Sequence, residues 1–234
     1  VAEVDDELIE KYLESGELTE EEFSRGLKEG IQNGQLIPVL CGSALENIGV
    51  DLLLESVVKY LPSPDNRTPV KAKKIDDETE IILSANNGEV NSALVFKTVA
   101  DPYAGKLTLF RMFSGTIKGD SSIYNSSKNV SERIGQLYML QGKTQISVSE
   151  ISAGDIGTVA KLKQTITGDT FSSSNEKVIF PSIAFPLPVF SRALLPKTRA
   201  DEEKISQALQ RLTEEDPTLK VERNSQTGEL LISG

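Results

Sequence analysis

Residues 35–62 read QLIPVLCGSALENIGVDLLLESVVKYLP, and the rest of the chain is organised around them. Leu36, Ile37, Val39, Leu40 and Cys41 form a short apolar run of the kind that fills a strand covered on both faces. Gly42-Ser43-Ala44 then makes a small-residue loop. Beyond Asn47 and Gly49, apolar residues recur at Val50, Leu53, Leu54, Val57, Val58 and Leu61, drawing one face of a helix that Pro62 ends. The pattern predicts half of a βαβ unit, and ligands of open α/β sheets sit just past the carboxyl ends of strands. Here that place is residues 41–45, where small side chains would let a flat ligand approach the backbone. By pattern alone a plain strand-to-helix turn without a ligand is the simpler reading, and both readings stay open.

Composition bounds the rest. With 234 residues, 38% of them apolar, the chain can bury one or two substantial cores. It has no apolar run near 18 residues and no signal-peptide pattern, so no membrane partner is expected. It opens on Val1 rather than Met, which suggests a processed or cut chain. The single cysteine, Cys41, excludes an internal disulfide, suits a reducing cytoplasm, and in a buried strand reads as a small hydrophobe. The absence of histidine removes most zinc sites and the commonest general base, so no metal ligand is named. The net charge of −10 is confined to one end: residues 1–62 carry 4 Lys/Arg against 14 Asp/Glu, residues 63–234 carry 21 of each. Residues 90–172 hold 9 basic and 6 acidic side chains, a bias that permits an RNA partner.

In order, residues 4–14 read as a helix with Leu8, Ile9, Tyr12 and Leu13 on one side. A second helix opens on the capping-box pattern Thr19-Glu20-Glu21-Glu22, shows Phe23, Leu27 and Ile31 at spacing four, and ends at Asn33-Gly34. Residues 62–69, with three prolines, are a linker by composition, and residues 71–83 read as an outer strand. From residue 90 the pattern is β. Short segments at 93–99, 106–113, 121–124, 134–140 and 155–162 are separated by turns at Asp101-Pro102, Ser114-Gly115, Lys118-Gly119-Asp120, Gln141-Gly142 and Ala153-Gly154-Asp155. Residues 107–113 are polar on neither face, which suits a closed antiparallel barrel. After Pro186-Leu187-Pro188, residues 189–195 read as a strand. A helix follows, with Ile205, Ala208, Leu209 and Leu212 on one face, then an alternating segment at 219–223, a turn and a last strand. That is β-α-β-β.

Read as text, several long blocks resemble the elongation factor G family of translational GTPases. VDDELIEKYLESGELTEEE, GSALENIG and KYLPSP are similar to the end of its P-loop GTPase domain. ALVFKTVADPYAGKLTLFRMFSGTIKGD, ERIGQLYML, AGDIGTVAKLK and TITGDTF resemble its second domain, the translation-factor β-barrel. PKTRADEEKISQALQRLTEEDPTLKVERNSQTGELLISG resembles the first βαββ of its ferredoxin-like third domain, whose final α and β are absent. The resemblance implies a multidomain α/β, β-barrel and α+β organisation: 1–64 the C-terminal part of a GTPase domain, 65–89 a linker and outer strand, 90–180 the barrel, 181–234 part of domain three.

What it implies for function follows residue by residue. Ser43, Ala44 and Leu45 match the loop whose backbone amides contact the guanine base. Lys97, Arg111, Lys118, Arg133, Lys161 and Lys163 are the cations of a barrel that, in the family, rests on small-subunit ribosomal RNA; each is otherwise a solubilising surface charge. The parent protein would bind GTP or GDP with magnesium and couple hydrolysis to movement of tRNA and mRNA on the ribosome, as a cytoplasmic monomer touching ribosomal RNA and ribosomal proteins. The P-loop, the switch regions, the Asn-Lys-x-Asp signature and the family's water-orienting histidine have no counterpart in these 234 residues. No residue is therefore named catalytic, and no nucleotide is expected to stay bound to this chain alone. Other readings are a ribosome-protection or non-translocating paralogue, or a nucleotide-independent RNA-binding barrel.

Overall fold

The computed structural model describes residues 1–85, 90–101 and 105–234, leaving aside the side chains of residues 199, 200, 202 and 203. Pro102 of the expected Asp101-Pro102 turn and residues 86–89 of the expected linker lie outside the described residues. The chain divides into two compact units, Val1–Arg67 and Thr68–Gly234.

In the first unit α1 (Asp6–Ser15) is capped by Asp5, whose carboxylate accepts from Glu7 N at 2.8 Å. The next helix, α2 (Glu20–Gln32), has the expected capping box: Glu22 accepts from Thr19 N at 2.9 Å and Thr19 Oγ1 accepts from Glu22 N at 3.3 Å. What α2 buries is not its large apolar side chains but Gly26 and Gly30. A Cβ on Gly26 would stand 2.8 Å from the buried Leu8, and one on Gly30 2.6 Å from Leu36, so the glycines set how closely the neighbouring segments approach. The third helix, α3 (Val50–Tyr60), buries no residue. The strand expected at residues 36–41 does not form. A strand covered on both faces needs a neighbour to pair with and layers above and below, and among the described residues of this unit no other strand exists. Ile37 and Val39 are consequently 85% and 86% exposed, and Cys41 is exposed rather than buried.

The second unit is built on a long hairpin of β3 (Ser92–Asp101) and β4 (Gly105–Ser114), after a short hairpin of β1 (Val70–Lys74) and β2 (Glu80–Leu83). There follow β5 (Thr116–Lys118), β6 (Ser122–Asn125), β7 (Val130–Arg133), β8 (Leu137–Gln141), β9 (Thr144–Val148), β10 (Glu150–Ser152), β11 (Ile156–Ala160), β12 (Thr170–Ser172) and β13 (Val178–Ile179). An eight-stranded antiparallel sheet runs β7-β6-β12-β3-β4-β11-β8-β9, and a β5–β10 ribbon adds to it. These strands share one interior, in which Ala93, Val95, Phe110, Met112, Ile117, Ile123, Ile134, Leu137, Ile151, Val159, Leu162 and Phe171 are buried. Such an interior, filled by side chains from most of the strands, is what a barrel requires.

A register shift between Val95 and Lys97 inserts one extra residue in β3, so both Phe96 and Lys97 reach the outside. Against the outer face lies a second sheet, β13-β1-β2, whose Ala72, Leu83, Val178 and Phe180 pack with Leu94 and Phe113. The unit closes with β14 (Ser191–Leu194), α4 (Arg199–Glu215), β15 (Lys220–Arg223) and β16 (Leu230–Ser233) in sheet order β14-β16-β15. Both pairings are antiparallel, so β14 and β15 run parallel and α4 is the crossover between them. Leu209 of α4 is buried, while Leu212 on the same expected face is half-exposed.

Candidate functional site

Three arrangements bear on function. The first is the loop before α3. Ser43 N donates to Ile48 O and Ile48 N to Ser43 O, both at 3.0 Å, closing a tight turn over residues 44–47. Glu46 N donates to Ser43 Oγ at 3.3 Å, and Asn47 takes a left-handed φ of 53°. Gly49, at φ 74°, turns the chain into α3, and its Cβ position lies 2.9 Å from Cys41 O, so a side chain there would be both strained and crowded. Ser43 spends its amide on Ile48, whereas the amides of Ala44 and Leu45 make no hydrogen bond among the described residues. Leu45 is 93% exposed. Two of the three expected base-contacting positions therefore have amides without a partner among the described residues, and the third is committed within the turn.

The second arrangement concerns the six barrel cations. Lys97 and Arg111 share the outer face of the long hairpin: Lys97 lies opposite Leu109, and Arg111, two residues along β4, lies between Leu94 and Ile156 in register. Lys97 is exposed, and the half-buried Arg111 sits 5.8 Å from the Phe113 ring centroid. Lys161 and Lys163 are exposed in the segment after β11, on either side of the buried Leu162, and Arg133 ends β7, one residue beyond the Glu132 that faces that segment. Lys118 stands apart on the β5–β10 ribbon with Glu150 opposite it in register. No ion pair engages any of the six among the described residues. The structure thus brings Lys97 and Arg111 to one face, keeps Lys161 and Lys163 on one segment, and leaves Arg133 and Lys118 on strands of their own.

The third arrangement, centred on Glu132 of β7, was not anticipated from sequence. Its carboxylate accepts from Lys163 N at 2.7 Å and from Gln164 N and Thr165 N at 3.0 Å each, and also from the Thr165 hydroxyl. Behind it the buried Asn125 donates to Thr165 Oγ1 at 3.0 Å and to Asp169 Oδ2 at 2.9 Å, and Ile166 N donates to that same Asp169 oxygen. Burial pushes the Glu132 carboxyl up, but the Thr165 hydroxyl and the three amides outweigh it and hold the group below its ordinary value. A lone glutamate in a four-residue strand carries no sequence signal for this. Only the return of residues 163–165 to β7 creates it.

Elsewhere, the carboxylate of Glu215 at the end of α4 accepts from Ala100 N of β3. Beside that contact is a cleft of about 450 Å³ whose lining mixes two cations, Lys106 and Arg211, with three carboxylates, Asp101, Glu214 and Glu215. Among the described residues no cluster of acidic or cysteine side chains could hold a metal ion, and no helix is long and apolar enough to cross a membrane.

Comparison with known proteins identifies two of the segments that carry them. The family model for elongation factor G domain 2 matches residues 91–174, the β3–β12 barrel. The model for elongation factor G domain III matches residues 185–234, the β14-α4-β15-β16 portion. A crystal structure of a Thermus thermophilus protein is similar over 100% of this chain at 34% sequence identity with a TM-score of 0.77. This chain spans 33% of the length of that one, a third of its extent.

Proposed function

The chain belongs to the elongation factor G family, and on that premise we propose that it is the ribosome-docking portion of a GTP-hydrolysing translation factor. The observation that carries the reading is the placement of Lys97 and Arg111 on one outer face of the barrel. Lys161 and Lys163 are exposed on the segment after β11, while the surplus of acid is confined to residues 1–62. Structured RNA is bound through phosphates and 2′-hydroxyls, for which a rigid cationic surface suffices without base readout. In this reading the barrel rests on small-subunit ribosomal RNA, and the acidic first unit takes no part in that contact.

The Ser43–Ile48 turn (closed by its own backbone bonds) is suited to a purine base: the Ala44 and Leu45 amides are available donors, and the small Gly42, Ser43 and Ala44 allow approach. Bound GTP with magnesium supplies the phosphoanhydride whose cleavage drives the cycle; this chain's part is to orient the base. The whole protein would act in the cytoplasm as a monomer, coupling hydrolysis to translocation of tRNA and mRNA. A ribosome-protection or non-translocating paralogue would use the same docking face. A nucleotide-independent RNA-binding barrel would leave the Ser43–Ile48 turn without a task.

The test uses the intact protein. Reversing Lys97 and Arg111 to glutamate should weaken binding to the small subunit and flatten the slope of log affinity against log salt by about one to two. Lys28→Glu, on the acidic helix α2, should change neither. Equal responses from the two variants would remove the barrel as the docking surface.

A further inference from the structure

Between β11 and β12, residues 161–169 form neither helix nor strand, yet the segment is held along its length. Lys161 N donates to Lys106 O at 2.8 Å, and Leu162 enters the barrel interior. The next three amides converge on the Glu132 carboxylate, Ile166 N goes to Asp169, and Gly168 N donates to Val95 O at 2.8 Å. Three successive amides aimed at one point make a concavity for an anion, and here the anion is built in. Its buried support is specific: Thr165, Asn125 and Asp169 are all withdrawn from solvent and bonded to one another or to Glu132.

We propose that Glu132 is a positioning residue for RNA docking, fixing residues 163–165 so that the exposed Lys161 and Lys163, on either side of the buried Leu162, stand on one rigid backbone. The inference rests on the docking reading above and adds to it the group that shapes the surface. A free carboxylate beside Lys163 would oppose RNA. Bonded to three amides and a hydroxyl, it is turned inward and spends its charge on the backbone. An ordered lysine also gives up less conformational freedom on meeting a phosphate than one on a loose loop.

The sign of one measurement separates this from simple electrostatics. Glu132→Gln removes a negative charge beside the proposed RNA surface. Acting through charge alone, it would tighten binding to the small subunit; acting through position, it loosens it. In the intact protein, amide exchange at residues 163–165 should accelerate at least about tenfold in this variant, the loss expected for charge-assisted hydrogen bonds. Exchange in β3, β4 and β12 should stay unchanged. Small-subunit affinity should fall about threefold to tenfold and the salt slope should drop by about one, the worth of one phosphate contact. Glu132→Asp, which keeps the charge, should recover part of both. Binding that is unchanged or tighter in Glu132→Gln overturns the proposal, as does undiminished protection of residues 163–165. If Lys163→Glu weakens binding and Glu132→Gln does not, the positioning role fails and the docking reading stands. If neither weakens it, both fall.

Discussion

Gly157 of β11 lies directly opposite Phe110 of β4 in register, and the Phe110 ring covers the space a side chain would need. A Cβ at Gly157 would be 2.6 Å from Phe110 Cζ and 2.8 Å from Ile151 Cγ1. Carbon atoms pack at roughly 3.5–4.0 Å, so about 1 Å of movement is required. The ring has nowhere to go: it is fully buried, and Phe171 holds its edge in a T-shaped contact at 5.7 Å between centroids. Gly157→Ala should therefore destabilise the barrel by about 1–3 kcal/mol, the usual cost of overpacking, less a few tenths regained from lower chain entropy in the unfolded state. Phe110→Leu alone removes three carbons and should cost about 2 kcal/mol at roughly 0.8 kcal/mol each. The double variant relieves the clash, because the shorter side chain vacates the volume the new methyl occupies. Urea unfolding of the wild type, both single variants and the double should show the double at least about 1 kcal/mol more stable than additivity predicts, with unchanged dependence on denaturant. Additivity within about 0.5 kcal/mol, or a neutral Gly157→Ala, would show that the ring does not depend on the glycine.

Three further outcomes can be checked. Glu132 is held below its ordinary carboxyl value in the fold, so its contribution is complete above the unfolded value of about 4.3 and is lost as pH falls through the folded one. Amide protection at residues 163–165 should be flat from neutral pH to about 5 and decline on further acidification, and Glu132→Gln should abolish that dependence. The hydrogen bond from Lys11, reinforced by Thr19, lowers the Glu22 carboxyl to about 2. Carbon-detected NMR titration should find Glu22 ionised well below the other glutamates, and Lys11→Met should move it back up while the Thr19 bonds keep it from returning fully. Thr19→Ala removes the N-cap acceptor of α2 and should cost that helix about 1 kcal/mol, read as faster exchange of its first-turn amides.

The amino-acid sequence carries in full those features that depend on neighbours a few positions apart. The Thr19–Glu22 capping box, the end of α3 at Pro62, the turn glycines 115, 142 and 154, and the β-α-β-β order after residue 189 are all local, and all appear where periodicity and turn chemistry put them. The blocks of residues that resemble the elongation factor G family were equally legible, because family likeness is itself a property of text. Tertiary structure decided whatever depends on what lies opposite. Residues 36–41 have the apolar content of a central strand, but a strand exists only by pairing, and they find no partner within their unit. β5, β10 and β12 are three residues long, too short for alternation to mark them, and are strands because they pair with partners more than thirty positions away. The α2 face expected to be buried through Phe23 and Leu27 gave way to Gly26 and Gly30, since helices approach closest where no side chain stands between them. Glu132 and residues 163–165 are about thirty positions apart, and no spacing rule connects a carboxylate to three amides. That clamp is written only in the path the chain takes from β11 back past β7.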